Sequence, residues 1–104
     1  MVFAADELLQ ELTRTDATLR EVLPRAGQGC GPDFEQRLEA HVRSLRSMLG
    51  ADDLAVAIDT MEAARQVMVS TDPAAPLLML AMARKTLSAV IHRQANTQRL
   101  HTAA

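Results

Sequence analysis

With 104 residues, 48% hydrophobic and 23% charged, the chain can fill one core and has the makeup of a single globular domain. Its net charge is -2 and it has no Trp or Tyr, which argues against nucleic-acid binding through a basic excess or aromatic stacking. The single cysteine rules out an internal disulfide and fits a reducing compartment.

The opening stretch MVFAADELLQ lacks the basic and apolar regions of a secretory signal. The longest apolar run, APLLMLAMA, is about half of the ~20 residues that cross a bilayer. A cytoplasmic protein without a membrane segment is expected.

Every strong periodicity is helical. Ala5, Leu8, Leu12, Thr15, Leu19 and Val22 recur three and four apart, so they line one face of a helix. This predicts a first helix over about residues 3–23, ended by Pro24. PRAGQGCGP, residues 24–32, holds three glycines between two prolines and reads as a loop. Cys30 lies in it as an incidental thiol, with no basic cluster to activate it.

A second helix is predicted over 33–49, entered at Pro32 or Asp33, with Phe34, Leu38, Val42, Leu45 and Leu49 inward and Gly50 as its stop. A third follows over 52–70, capped by Asp52 or Asp53, with Leu54, Ala57, Ile58, Met61, Ala64 and Met68 inward. Asp72 and Pro73 open a fourth over 73–98, packed through Leu77, Leu80, Ala83, Leu87, Val90 and Ile91, before a fraying tail. Four amphipathic helices with short connections predict an all-α fold, an antiparallel up-and-down four-helix bundle. Met48, Met61, Met68, Met79 and Met82 fall on apolar faces and read as core filling.

Few residues carry a chemical signal. The glycines of GQGCG follow no strand and lack the lysine of a phosphate loop. His41, His92 and His101 are scattered, so no metal site and no cofactor are expected. Glu7, Glu11, Glu21, Asp59 and Glu62 occupy solvated faces, and no carboxylate pair stands out for acid–base work.

One pattern goes further. Leu49, Gly50, Leu54, Ala55, Met61 and Glu62, in LGADDLAVAIDTME, follow a helix and loop of suitable length. From Leu8 to about Ile91 the chain resembles the histidine phosphotransfer (Hpt) domains of bacterial multistep phosphorelays. The family's motif resembles AHxLKGS. Aligned without gaps, its phosphoacceptor position falls on Ala40, the next on His41, and Val42, Arg43 and Ser44 replace its Leu, Lys and Gly.

At 100° per residue Ala40 lies opposite the buried arc, whereas His41 lies about 60° from the arc's centre, at its edge. Gln36, Ala40, Arg43, Ser44 and Ser47 share the outward side, with Arg37 nearby. The resemblance implies that this face docks a receiver domain or a sensor kinase, with arginines pairing to phosphate or carboxylate. The expected function is a non-catalytic interaction module in bacterial two-component signalling. Two alternatives stand beside it. One is an active phosphorelay intermediate with His41 as phosphoacceptor. The other is a structural or chaperone-like helical protein, with a homodimer as one form, using a Met-rich groove around Met79 and Met82.

Overall fold

Where each helix begins and stops follows from a few residues. The computed structural model describes residues 2–103, and the side chains of residues 6–97. It contains α1 (Val2–Arg20), α2 (Pro32–Arg46), α3 (Ala51–Val69) and α4 (Ala74–Ala103), with a 3-10 turn at Leu23–Arg25 after α1. No strand occurs among the described residues, so the chain is all-α with four helices. Ala5 and His101 lie outside the described side chains.

α1 stops at Arg20 rather than Leu23. Pro24 has no amide hydrogen and pushes the preceding residue away from α geometry. The winding tightens ahead of it: the Glu21 and Val22 amides donate three residues back, to the carbonyls of Thr18 (3.2 Å) and Leu19 (3.4 Å). α2 likewise ends early, at Arg46, with the Met48 and Leu49 amides both donating to the Leu45 carbonyl. Gly50 is not the left-handed stop expected after α2. Its backbone is extended (φ -66°, ψ 163°) and leads into α3, whose Leu54 amide donates to the Gly50 carbonyl.

Neither Asp52 nor Asp53 caps α3 through its side chain. Both sit in the first turn, where a carboxylate suits the helix dipole, and Asp53 reaches Arg93 instead. Asp72 does act as a cap, its Oδ1 accepting from the Ala74 amide at 3.3 Å. α4 continues past the expected boundary at Gln98 to Ala103.

The glycine loop has more structure than a linker. The amides of Gly27 and Gly29 donate to the carbonyls of Val67 (2.9 Å) and Met68 (2.6 Å). Those carbonyls belong to the last turn of α3, which has no helical donors of its own. Both glycines have positive φ, 79° and 85°, a conformation that L side chains rarely adopt. A Cβ on Gly27 would also stand 3.3 Å from the Ser70 carbonyl oxygen.

α1 packs against α2 and α4, and α3 against the same two helices. The molecule is 51 Å long and 24 Å wide, its length set by α4, which at 1.5 Å per residue spans about 45 Å. The core collects Leu12 and Leu19 of α1, Leu38 and Leu45 of α2, Met61 and Val67 of α3, and Leu80, Leu87 and Val90 of α4. Val42, Leu49, Leu54, Ile58, Leu77, Ala83 and Ile91 are only half-buried. Thr15 and Thr60 are fully buried, and each hydroxyl donates to the carbonyl four residues back, Glu11 and Val56. This satisfies a polar group that burial would otherwise penalise.

One expectation needs correction. Met61 and Met68 are buried, but Met79 and Met82 are 63% exposed, because the inward arc of α4 is already filled by Leu80, Leu87 and Val90. Within Ala74–Thr97 an 18-residue window reaches a mean hydropathy of 1.4, a length and composition that a membrane-crossing helix and the core helix of a soluble protein share. Arg84 and Lys85 interrupt that window, so it contains no unbroken apolar run of its own length.

Candidate docking face and the His41 contact

Each pair of neighbouring helices is tied by polar side chains. Arg84 on α4 forks onto Asp16 on α1, at 3.1 and 3.3 Å. The Arg65 Nε on α3 donates to both Glu35 oxygens on α2, at 3.1 and 3.0 Å. Arg93 on α4 donates to Asp53 on α3.

Between α1 and α2 the tie is His41. Its Nδ1 lies 2.7 Å from Glu11 Oε1 and its Nε2 lies 2.9 Å from the Thr18 hydroxyl. The ring side chain is 14% exposed. A carboxylate only accepts, so Nδ1 carries the hydrogen toward Glu11. The Thr18 oxygen accepts from Arg37 Nη2 at 3.3 Å, and its hydroxyl is 3.2 Å from the Arg14 carbonyl. Arg37 forks onto Glu21 as well. The Arg37 hydrogen bond holds the Glu21 carboxyl below its ordinary range, and the pairing keeps the guanidinium protonated still more firmly.

Glu11 is therefore half-buried and hydrogen-bonded rather than solvated, while Glu7, Glu21, Asp59 and Glu62 are exposed. A nucleophilic imidazole must present a nitrogen lone pair to its substrate. Here one nitrogen faces Glu11 and the other Thr18, so attack through Nε2 requires the Thr18 contact to open first.

On the outward side of α2, Gln36, Ala40, Arg43 and Ser47 are exposed and Ser44 is half-buried. Ser47 Oγ donates to the Ser44 carbonyl at 2.9 Å. Arg37, expected to face a partner, is engaged by Glu21 and Thr18. Shallow depressions flank Ala40. One of about 380 Å³ lies toward α1, with Ala17, Thr18, Arg37 and His41 in its lining. Another, about 490 Å³, is lined by Asp33, Gln36, Arg37 and Ala40.

On the α3 side, Glu39, Val42, Arg43, Arg46 and Arg65 line a groove of about 330 Å³. Arg65 is neutralised there by Glu35 and Glu62. Arg43 and Arg46, both exposed, make none of the ion pairs found among the described residues.

The sequence reading missed Glu11 and Thr18 as partners of His41, and Arg46 as a neighbour of Arg43. Glu11 and Thr18 are seven residues apart, two turns on one face of α1, and that spacing was a usable signal. No grouping of three or more His, Cys, Asp or Glu side chains suited to a metal ion occurs among the described residues. The Cys30 thiol lies 3.9 Å from the Arg65 carbonyl. Burial, and then the charge of Glu35, push its pKa up, which disfavours the reactive thiolate.

Comparison with protein-family models, curated proteins and solved structures gives no match.

Proposed function

We propose that the protein is a non-catalytic helical interaction module that docks an acidic protein surface on the outward face of α2. The observation that carries this reading is a contrast between adjacent residues. His41 is occupied at both ring nitrogens, while Ala40 and the unpaired Arg43 stand open beside it. Small Ala40 permits close approach, and Arg43 with Arg46 offers guanidinium groups to carboxylates. Gln36, Ser44 and Ser47 add hydrogen-bonding groups. The sequence resemblance to Hpt domains names the partner class, a receiver domain or sensor kinase of a phosphorelay in the cytoplasm.

The same reading includes an antiparallel up-and-down, Hpt-like bundle. The contacts support it: Glu11 meets His41 and Glu21 meets Arg37, so numbers rise along α1 as they fall along α2. Thr60 with the Ala83 carbonyl and Asp53 with Arg93 run likewise between α3 and α4.

The test is affinity capture with wild type and Ala40→Glu, followed by binding assays on the purified receiver or kinase recovered. Binding that the substitution abolishes supports the face. Binding that survives Ala40→Glu and Arg43→Glu together rejects it. Incubation with a phosphorylated receiver tests the non-catalytic part: an acid-labile phosphoryl group removed by His41→Gln would make the protein a phosphorelay intermediate instead.

A further inference from the structure

The first half of α4 has a second apolar side. Its inner residues Leu80 and Leu87 are fully buried, yet Leu78, Met79 and Met82 are 64%, 63% and 63% exposed. Ala75 and Ala89 are exposed as well. At 100° per residue Ala75, Leu78, Met82 and Ala89 lie within one 60° arc, a strip narrow enough for a two-helix seam. A helix face turned to water normally carries several charges. On this face, from Ala74 to Ala89, the only charge is Lys85, since Arg84 turns aside to Asp16.

The charges at its borders indicate what covers it. At 100° per residue, Leu78, Ala89, Met82 and Ala75 fall in the arc between Lys85 on one border and Thr86 on the other. Beyond Thr86 lies Asp59 of α3, which shares a depression of about 180 Å³ with Thr60, Ala83 and Thr86. The apolar strip is thus bordered at one level by a cation and on its far side by an anion. Both are exposed, and neither enters an ion pair among the described residues.

A twofold axis running parallel to α4 sets each copy's Lys85 border against the other copy's Asp59 border. It also stacks Leu78 on Leu78 and Met82 on Met82 along the seam. An antiparallel pairing would set like borders together, Asp59 beside Asp59. Membrane-surface helices prefer basic residues along their flanks, whereas one flank here is acidic.

We propose that the outward face of α4 binds a second copy of this chain, forming a parallel homodimer seamed by Leu78 and Met82 and flanked by two Lys85–Asp59 ion pairs. The surface is independent of the docking face on α2.

Sedimentation equilibrium over a range of concentrations tests it, with wild type, Asp59→Lys, Lys85→Asp, and an equal mixture of those two variants. Wild type should associate, and each variant alone should dimerise at least about tenfold more weakly, because it sets like charges together. The mixture should recover dimer, since one variant brings two lysines and the other two aspartates to each pair. Circular dichroism of each variant checks that it is folded. Met82→Glu should abolish association. A wild type that stays monomeric at every concentration overturns the proposal. So does a dimer unaffected by Met82→Glu, a mixture no stronger than its components, or a monomer whose α4 face instead carries it onto phosphatidylcholine vesicles.

Discussion

α2 and α4 bury equivalent leucines but turn opposite chemistry to the solvent. Leu38 and Leu45 of α2, like Leu80 and Leu87 of α4, are completely inaccessible. Outward, α2 shows arginines, serines and a small alanine, while α4 shows Leu78, Met79 and Met82. The inward halves explain why the chain folds. The outward halves, which folding leaves uncovered, are where binding has to be sought.

The strongest way to probe that comparison is to show that the inward halves are equivalent. Leu38→Ala and Leu87→Ala should each lower stability by about 2–5 kcal/mol, read by denaturant unfolding. A much smaller loss from one would mean that its helix is not integral to the core. By contrast, Ala40→Ser, and Met82→Ser at concentrations where the chain is monomeric, should stay within about 0.5 kcal/mol.

Next in size are the contacts that join helices. Gly27→Ala should cost about 1–2 kcal/mol, since its φ of 79° and the nearby Ser70 carbonyl both oppose a Cβ. His41→Ala should cost a similar ~1–2 kcal/mol, leaving half-buried Glu11 without its ring partner. If His41→Ala were neutral, the ring would be free for chemistry rather than committed to α1. Smaller still, Arg84→Ala should cost about 1 kcal/mol, because Asp16 keeps solvent access and a second contact with Arg20. Arg43→Ala, lacking an ion pair, should leave unfolding unchanged.

The smallest effect is a pH dependence. Hydrogen bonding from Arg37 lowers the Glu21 pKa in the folded chain. The contribution is therefore present above the carboxylate's unfolded pKa and fades as pH falls through its lower folded value. The stability difference between wild type and Glu21→Gln should narrow as the pH is lowered through the ordinary carboxylate range and below it. A constant difference would mean that Glu21 acts through packing alone.

Much of the architecture was legible because helical periodicity is a local signal. Leu12, Leu19, Leu38, Leu45, Leu80 and Leu87 were identified by spacing alone and are buried. Proline 24 announced the end of α1, but not the tightened turn before it, which depends on which carbonyls remain within reach. Gly50 misled because a glycine after a helix serves equally to stop one or to start the next. The partnership of His41 with Glu11 and Thr18 was invisible to a reading of α2 by itself, as it depends on how two helices align. On the docking face, the exposure of Gln36, Ala40, Arg43 and Ser47 followed from the wheel of α2. The diversion of Arg37 did not, since Glu21 lies beyond the end of another helix. The exposure of Met79 and Met82 was hidden for a related reason: methionine reports an apolar environment, and the sequence does not say whether that environment lies inside the same chain.

The amides of Gly27 and Gly29 close the end of α3 from a loop some forty residues earlier. That arrangement makes the two halves of the molecule interdependent, because the connector of the first pair of helices is also the lid on the second. A protease nick between Gln28 and Cys30 would do more than lengthen a loop. It would uncap α3 and slacken the α1–α2 link together, so the first cut should expose further sites and digestion should proceed without a long-lived half-molecule.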